Sequence, residues 1–362
     1  MNQYTRSGGQ LDLVNSLAKH YSPLVNRTID PLTEITISVG ATEGIFAILQ
    51  GMINDGDEVV VLEPAFDIYP AQIQMAGGIC KYVALEYSEK EKKWKLDMEK
   101  LEKSINKKTK MLILNTPHNP TGKVFTRKEL EDIRNIVLRH TQVTVVMDEV
   151  YEKLVYDNKK HVRFAGLDGM WDRTLTVSSC GKTFSCTGWK LGWIYGNSKL
   201  IQPIMLANQW IQFCVSSPTQ KAFSEIITIS DKPYEGFTDY YSFISDVYEK
   251  KRNHLMESLK KGNLDPITPE GGFFIMANTS KHKFDAKYIN EPGPTGSSPV
   301  SRDWGFARFL TQEVGVTPIP PSAFYCDETK HFASNLARFA FCKTDPYLEE
   351  ARKRLEKLGL GK

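Results

Sequence analysis

Thr174-Leu175-Thr176-Val177-Ser178-Ser179-Cys180-Gly181-Lys182-Thr183-Phe184-Ser185-Cys186-Thr187-Gly188-Trp189-Lys190-Leu191-Gly192-Trp193 is the stretch that decides how the rest of the chain is read. Leu175 and Val177 mark a short apolar strand, Ser178 to Gly181 are small, and Lys182 follows at the turn. An ammonium held rigidly at a strand end, partly out of water, loses basicity and leaves a free amine able to attack a carbonyl carbon. Ser179 stands three residues before Lys182 and Lys190 eight after it, so both can grip one phosphate. Most lysines are only solvated surface charges, so the assignment rests on these neighbours.

Two other signatures share these residues, and each lacks its second requirement. Ser179-x-x-Lys182 matches the serine acyl-enzyme motif, but the companion Ser-Asp-Asn and Lys-Thr-Gly elements are absent, since Lys182-Thr183 runs into Phe184. Gly181-Lys182-Thr183 matches the end of a phosphate loop, yet Thr176 occupies the place of its first glycine. The chemistry that needs both a lysine and a phosphate grip is that of pyridoxal 5'-phosphate (PLP), a phosphorylated aldehyde.

The chain has 362 residues, 41% apolar and 25% charged, with a net charge of +3. That length supports one large and one smaller domain. The near balance of charge gives no electrostatic case for nucleic acid, and Lys90-Glu91-Lys92-Lys93 and Lys107-Lys108 read as solvated turns. Six cysteines without C-x-x-C or disulfide-like spacing favour a reducing compartment, and the seven histidines never fall at metal-ligand spacing. No apolar run reaches membrane-spanning length and the first residues lack signal character, so a soluble cytoplasmic protein is expected.

Short Val/Ile/Leu strands at 34–39, 58–62, 81–85, 111–115, 143–147 and 175–177 alternate with helical patterns at 69–76, 98–105 and 127–139. This predicts an α/β fold with a wound, mainly parallel sheet, whose ligands sit at the carboxyl ends of the strands. Leu11, Val14, Leu17, Ala18 and Tyr21 share one face of a helix, and Gly40-Ala41-Thr42 opens another, to about Met52, at a turn able to receive an anion. From Lys199 the chain becomes helical. Two helices meet near Ser216-Ser217-Pro218, a long helix covers 241–259, and a smaller α+β unit follows. In that unit strands are expected at 272–276 and 337–341, helices at 303–313 and 347–358, and a flexible loop at 290–299. The expected division is a large domain over 1–240 and a small one over 241–362.

Asn115-Thr116-Pro117-His118-Asn119-Pro120-Thr121-Gly122, Asp148-Glu149-Val150-Tyr151, Ser179-Cys180-Gly181-Lys182 and Ala337-Arg338-Phe339 occur in this order. Together they resemble the fold-type I PLP aminotransferases of class I/II. The similarity covers nearly the whole chain. Asn2-Gln3-Tyr4-Thr5, Glu63-Pro64, Gly169-Met170-Trp171-Asp172-Arg173-Thr174 and Pro320-Pro321-Ser322-Ala323-Phe324-Tyr325 are similar to the kynurenine aminotransferases, the glutamine transaminase K and cysteine-S-conjugate β-lyase group.

The resemblance implies a role for each motif residue. Lys182 would hold PLP covalently and then move the substrate proton. Asp148 would keep the pyridine nitrogen protonated; alone, it could equally cap a helix over 149–155. Asn119 and Tyr151 would bond the phenolic oxygen, and Phe66 would stack on the ring, where a lone phenylalanine would otherwise be core packing. The phosphate would take Ser179, Lys190, the amides of Gly40, Ala41 and Thr42, and Tyr4 from a second subunit. Arg338 would bind the substrate carboxylate bidentately beside Asn115, a geometry lysine cannot copy. Phe213 would line the side-chain pocket across a homodimer interface.

Departures fall at Thr42, where the group usually has tyrosine, at Cys214, where histidine or an aromatic is common, and at Ser7-Gly8-Gly9-Gln10-Leu11. Relatives carry several dozen residues before Asn2-Gln3-Tyr4, so the resemblance implies a missing N-terminal arm; a mitochondrial location would follow if that arm carried a transit peptide. The activity implied is transfer of the amino group of kynurenine, aromatic or sulfur amino acids to a 2-oxo acid such as 2-oxoglutarate, with β-elimination from cysteine S-conjugates. Its alternatives are a general aromatic-amino-acid aminotransferase, or a PLP-binding or dimerising protein without turnover. An aspartate-like enzyme, the other form of the first alternative, would want a second arginine for the distal carboxylate, and no motif identifies one.

Overall fold

Strands with Val, Ile and Leu on both faces are stable only where both faces are covered, and the segments Glu58–Glu63 and Thr174–Ser179 are buried from end to end. The computed structural model describes residues 2–293, 296 and 299–360. Residues 294, 295, 297 and 298 of the loop expected at 290–299 lie outside the described residues. Strands β1 (Ile35–Ser38), β2 (Glu58–Glu63), β3 (Ile79–Ser88), β4 (Lys93–Leu96), β5 (Thr109–Asn115), β6 (Thr144–Asp148), β7 (Thr174–Ser179) and β8 (Gly192–Gly196) form one sheet. Its order is β1-β8-β7-β6-β5-β2-β3-β4. Strands β7, β6, β5, β2 and β3 pair in parallel, while β8, β1 and β4 pair antiparallel with their neighbours.

A second antiparallel sheet, β11-β10-β9, is built from β9 (Asp265–Ile267), β10 (Phe274–Asn278) and β11 (Leu336–Ala340). The helices Tyr240–Lys261 and Asp345–Gly359 pack against each other beside it. Glu63, a fully buried carboxylate at the end of β2, ties the large sheet to the loop that precedes β11. It accepts hydrogen bonds from the Cys326 amide and, at 2.6 Å, from the Thr329 hydroxyl.

Three strands escape the sequence reading. Strand β4 buries only Trp94 and Leu96 and presents Lys93 and Lys95 to water, so the charges conceal the alternation. Strand β8 is bounded by Gly192 and Gly196, which read as turn residues, yet both are buried in the sheet. Strand β9 is three residues long and contains Pro266. Leu11 is exposed rather than on the apolar face of its helix; Leu13 takes that place with Val14, Leu17, Ala18 and Tyr21. The segment after Asp148 forms successive turns, not a helix, which removes the simple helix-cap reading of that residue.

His118, on the turn after β5, is 3% exposed, with Nδ1 2.8 Å from the Thr121 hydroxyl. Burial first, then the Lys123 charge, push its imidazole down from 6.5 to about 3. Between those values the unfolded chain binds a proton that the folded protein refuses. Stability is therefore retained above 6.5 and lost as the pH falls, by up to about 1.4 kcal/mol per pH unit for this group. Replacing it by His118→Gln is expected to flatten the acid limb of urea midpoints measured across that window; an unchanged slope would show that His118 does not set it.

Candidate active site

Adjacent parallel strands bring their last residues together. Asn115 pairs with Asp148 across β5 and β6, and Asp148 pairs with Val177 across β6 and β7. Neighbouring strands lie about 4.8 Å apart, so three strand ends deliver their side chains to one cleft. Lys182 enters from the single helical turn Cys180–Thr183 that follows β7. Of the residues anticipated from sequence, Gly40, Ala41, Thr42, Phe66, Asn115, Asn119, Asp148, Tyr151, Ser179, Lys182, Lys190 and Arg338 all line this cleft. Tyr4 and Phe213 do not. They are 80% and 53% exposed and meet each other edge to face, with ring centroids 5.0 Å apart.

Asp148 is 4% exposed. Burial raises its pKa, opposed by a 2.5 Å hydrogen bond from the Tyr69 hydroxyl and one of 3.3 Å from the Val150 amide. Tyr69 is a site residue that sequence reading missed, because at 3% exposure on the helix Ile68–Met75 its ring looks like core. Its position three residues after Phe66 was the available signal, and the two rings meet edge to face at 5.7 Å. Lys182 lies across the cleft. Burial lowers its pKa, the Asp148 charge opposes that, and its Nζ stands 5.4 Å from the Phe273 ring centre and 5.8 Å from that of Tyr151.

Beyond this pair lies a nest for an anion. Gly40, at φ +76°, starts the helix Gly40–Met52, and its backbone rests directly on Gly192 of β8. A Cβ at Gly192 would come within 2.6 Å of the Gly40 carbonyl carbon and 2.8 Å of the Ala41 nitrogen. The approach of helix start to strand thus requires a glycine. Lys190, itself left-handed at φ 51°, lies so close that a Cβ on Gly40 would be 3.6 Å from its Nζ. Helix amides, an ammonium and the Ser179 hydroxyl suit a phosphate. The acid, the amine and the Phe66 face suit the ring it carries.

The opposite wall is Arg338 of β11, whose Nη1 donates to Asn119 Oδ1 at 2.9 Å. Its guanidinium carbon lies 4.1 Å from the Phe274 ring centre and 4.7 Å from that of Phe324, contacts that fix its plane. Phe274 also lines the cleft, although the sequence marks it only as part of a strand. Asn115 donates to the Asp148 carbonyl at 2.9 Å and accepts from the Asn119 amide at 2.7 Å, so it braces both residues.

Behind the cleft, Arg163 bonds Glu149 at 2.6 Å and also bonds Glu152, which accepts from Tyr21 at 2.5 Å and Ser178 at 3.1 Å. Burial alone would raise the Glu152 pKa; Arg163 and Lys153 outweigh it and hold the carboxyl below its usual range. These bonds fasten the turn that presents Tyr151. Removing the Asp148 contact alone by Tyr69→Phe is expected to lower the unfolding free energy by about 1.5–3 kcal/mol, typical of a hydrogen bond to a charged group. Urea denaturation of the two proteins checks this; equal midpoints would mean that the hydroxyl supports nothing.

The family model for aminotransferase class I and II matches residues 1–355. The chain is 44% identical to a kynurenine–oxoglutarate transaminase of Dictyostelium discoideum over 99% of its own length and 84% of the relative's. It is 38% identical to kynurenine–oxoglutarate transaminase 3 of Mus musculus, covering 97% and 77% of the two chains. The crystal structure of Bna3p from Saccharomyces cerevisiae superposes with a TM-score of 0.92 at 38% identity, covering 99% of this chain and 84% of that one. With the four motifs gathered at one cleft, the chain belongs to the class I and II aminotransferases, fold-type I enzymes that depend on PLP.

Proposed function

We propose that this enzyme transfers the amino group of L-kynurenine, and of related aromatic or sulfur-containing amino acids, to a 2-oxo acid such as 2-oxoglutarate. The observation that carries the reading is Arg338 facing Lys182 and Asp148 across one cleft, in a chain whose relatives bear the kynurenine–oxoglutarate name. Arg338 is the only arginine among the described residues that line the cleft, which suits a substrate with one carboxylate near the reacting carbon and an uncharged side chain. In this reading residues 1–240 hold the cofactor and residues 241–362 bring the carboxylate anchor.

PLP, when bound, supplies an electron sink that makes the substrate Cα–H bond acidic. Ser179, Lys190 and the Gly40–Thr42 amides would take its phosphate, Phe66 its ring face, and Asn119 and Tyr151 its phenolic oxygen. Asp148, oriented by Tyr69, would keep a proton on the ring nitrogen. Burial lowers the basicity of Lys182, which favours the free amine that would hold the cofactor, then accept the Cα proton and return it one position along. Arg338 orients the substrate through its carboxylate, and the aromatic walls exclude water.

Replacing Arg338 by alanine is expected to cost about 2–5 kcal/mol in kcat/KM, the usual loss when one partner of a buried charge pair is removed. Glutamate formation from 2-oxoglutarate should fall alike with kynurenine, phenylalanine and methionine as donors. A loss confined to one donor would contradict the carboxylate role. Lys182→Ala should abolish both the visible absorbance of bound PLP and turnover; a fully active variant would remove Lys182 from the mechanism.

A homodimer completes the site in this reading. Tyr4, Trp210 and Phe213 are exposed, and Trp210 is 83% so. They make sense as parts of a two-fold interface through which Tyr4 reaches the partner's phosphate site and Phe213 its substrate pocket. Sedimentation should therefore find a dimer, with Trp210→Glu shifting it to an inactive monomer. A fully active monomer would refute this arrangement.

A further inference from the structure

Two thiols flank Lys182 and meet each other. Cys180 opens the helical turn that carries the lysine and is fully buried; Cys186 follows six residues later and is half-buried. Cys186 Sγ lies 3.4 Å from Cys180 Sγ and 3.5 Å from the Cys180 carbonyl oxygen. The backbone between them is folded back tightly: a Cβ on Gly181 would stand 3.1 Å from the Thr187 Cα. Cys180 itself is anchored, its amide donating to Leu191 and its carbonyl accepting from Phe184. Cys186 lies between two left-handed non-glycine residues, Ser185 and Lys190, both at φ 51°. These cost conformational energy that a local shift would release.

We propose that Cys180 and Cys186 form an oxidisable dithiol, and that the disulfide they close, on meeting a low-molecular-weight disulfide such as oxidised glutathione, loosens the phosphate end of the PLP cleft. The sulfurs need to approach from 3.4 Å to about 2.05 Å. Since Cys180 is pinned, the motion falls on Cys186. Thr187 and Lys190, which line the cleft a few residues further on, follow it. The Cys186 thiolate attacks one sulfur of oxidised glutathione and expels a glutathione thiolate. The Cys180 thiol, giving its proton to that thiolate, then attacks Cys186 Sγ and expels the second glutathione. Two protein thiols are oxidised, and one glutathione disulfide is reduced to two thiols. Once Cys186 is deprotonated, Cys180 donates to it, an interaction that holds the Cys186 thiol below its usual range against the effect of burial.

The sequence makes the test direct, because tryptic cleavage after Arg173, Lys182 and Lys190 places the two cysteines on separate peptides, 174–182 and 183–190. The PLP-loaded protein is incubated with oxidised glutathione, alkylated and digested under non-reducing conditions. The expected result is a linked pair of these peptides that dithiothreitol separates, and a several-fold faster release of PLP on gel filtration that dithiothreitol reverses. Cys186→Ser should show neither effect. Both peptides recovered separately, as glutathione adducts or alkylated thiols, would overturn the proposal, and so would a linked pair with unchanged PLP release. The second half rests on the phosphate-binding reading of Lys190. Peptide linkage does not, so the two failures are distinguishable.

Discussion

Two parallel strands that lie side by side must also end side by side, and on β6 and β7 those ends carry an acid and, one turn further, an amine. Neither group would choose this position alone. Asp148 is pushed toward its protonated form by burial and Lys182 toward its neutral form, and each is partly relieved by the charge of the other. The tension is held because the carboxyl ends of the two strands beneath are buried and paired, which leaves them little freedom to relax. A hydrophobic ladder thus confers on two ordinary side chains a reactivity that they would lose on a loop.

Around that pair the polar support is layered. Tyr69 fixes the carboxylate, Asn115 fixes the strand end, and the Arg163 cluster holds the turn bearing Tyr151. Buried ion pairs of this kind often add little net stability, because desolvation cancels most of their attraction. Their value here is geometric: Arg163 bonds Glu149 and Glu152 together, and Glu152 also accepts from Tyr21 and Ser178, so alternative arrangements of the turn would strand a buried charge. The glycines do the complementary work. Gly192 removes the atom that would otherwise keep the helix start from the sheet, and Gly40 supplies the positive φ at which that helix begins.

Much of this was legible in the residues. The alternation of short aliphatic strands with amphipathic helices gave the α/β class, and the Asn119, Asp148, Lys182 and Arg338 motifs stand where the cleft needs them. What stayed hidden had physical reasons. Strand β4 exposes lysines on the face away from the core, and β8 is closed at each end by a glycine chosen for close backbone approach, not for a turn. Tyr69 and Phe274 sit in helix and strand patterns that ordinary packing explains equally well. The meeting of Cys180 with Cys186 depends on a reversal of the chain that no spacing rule encodes. Tyr4 and Phe213 lie outside their own chain's cleft, so the cleft of a single chain neither supports nor contradicts the roles that the resemblance gives them.

Arg338 lies in the small sheet and Lys182 just beyond a strand of the large one, and the Glu63 hydrogen bonds fasten the large sheet to the loop before β11. Anything that touches both walls at once therefore acts as a brace as well as a guest. A molecule that bridges the guanidinium and the amine stabilises the folded chain, by an amount set by its concentration relative to its dissociation constant. Resistance to heat or proteolysis in such an architecture belongs to the occupied cleft as much as to the polypeptide.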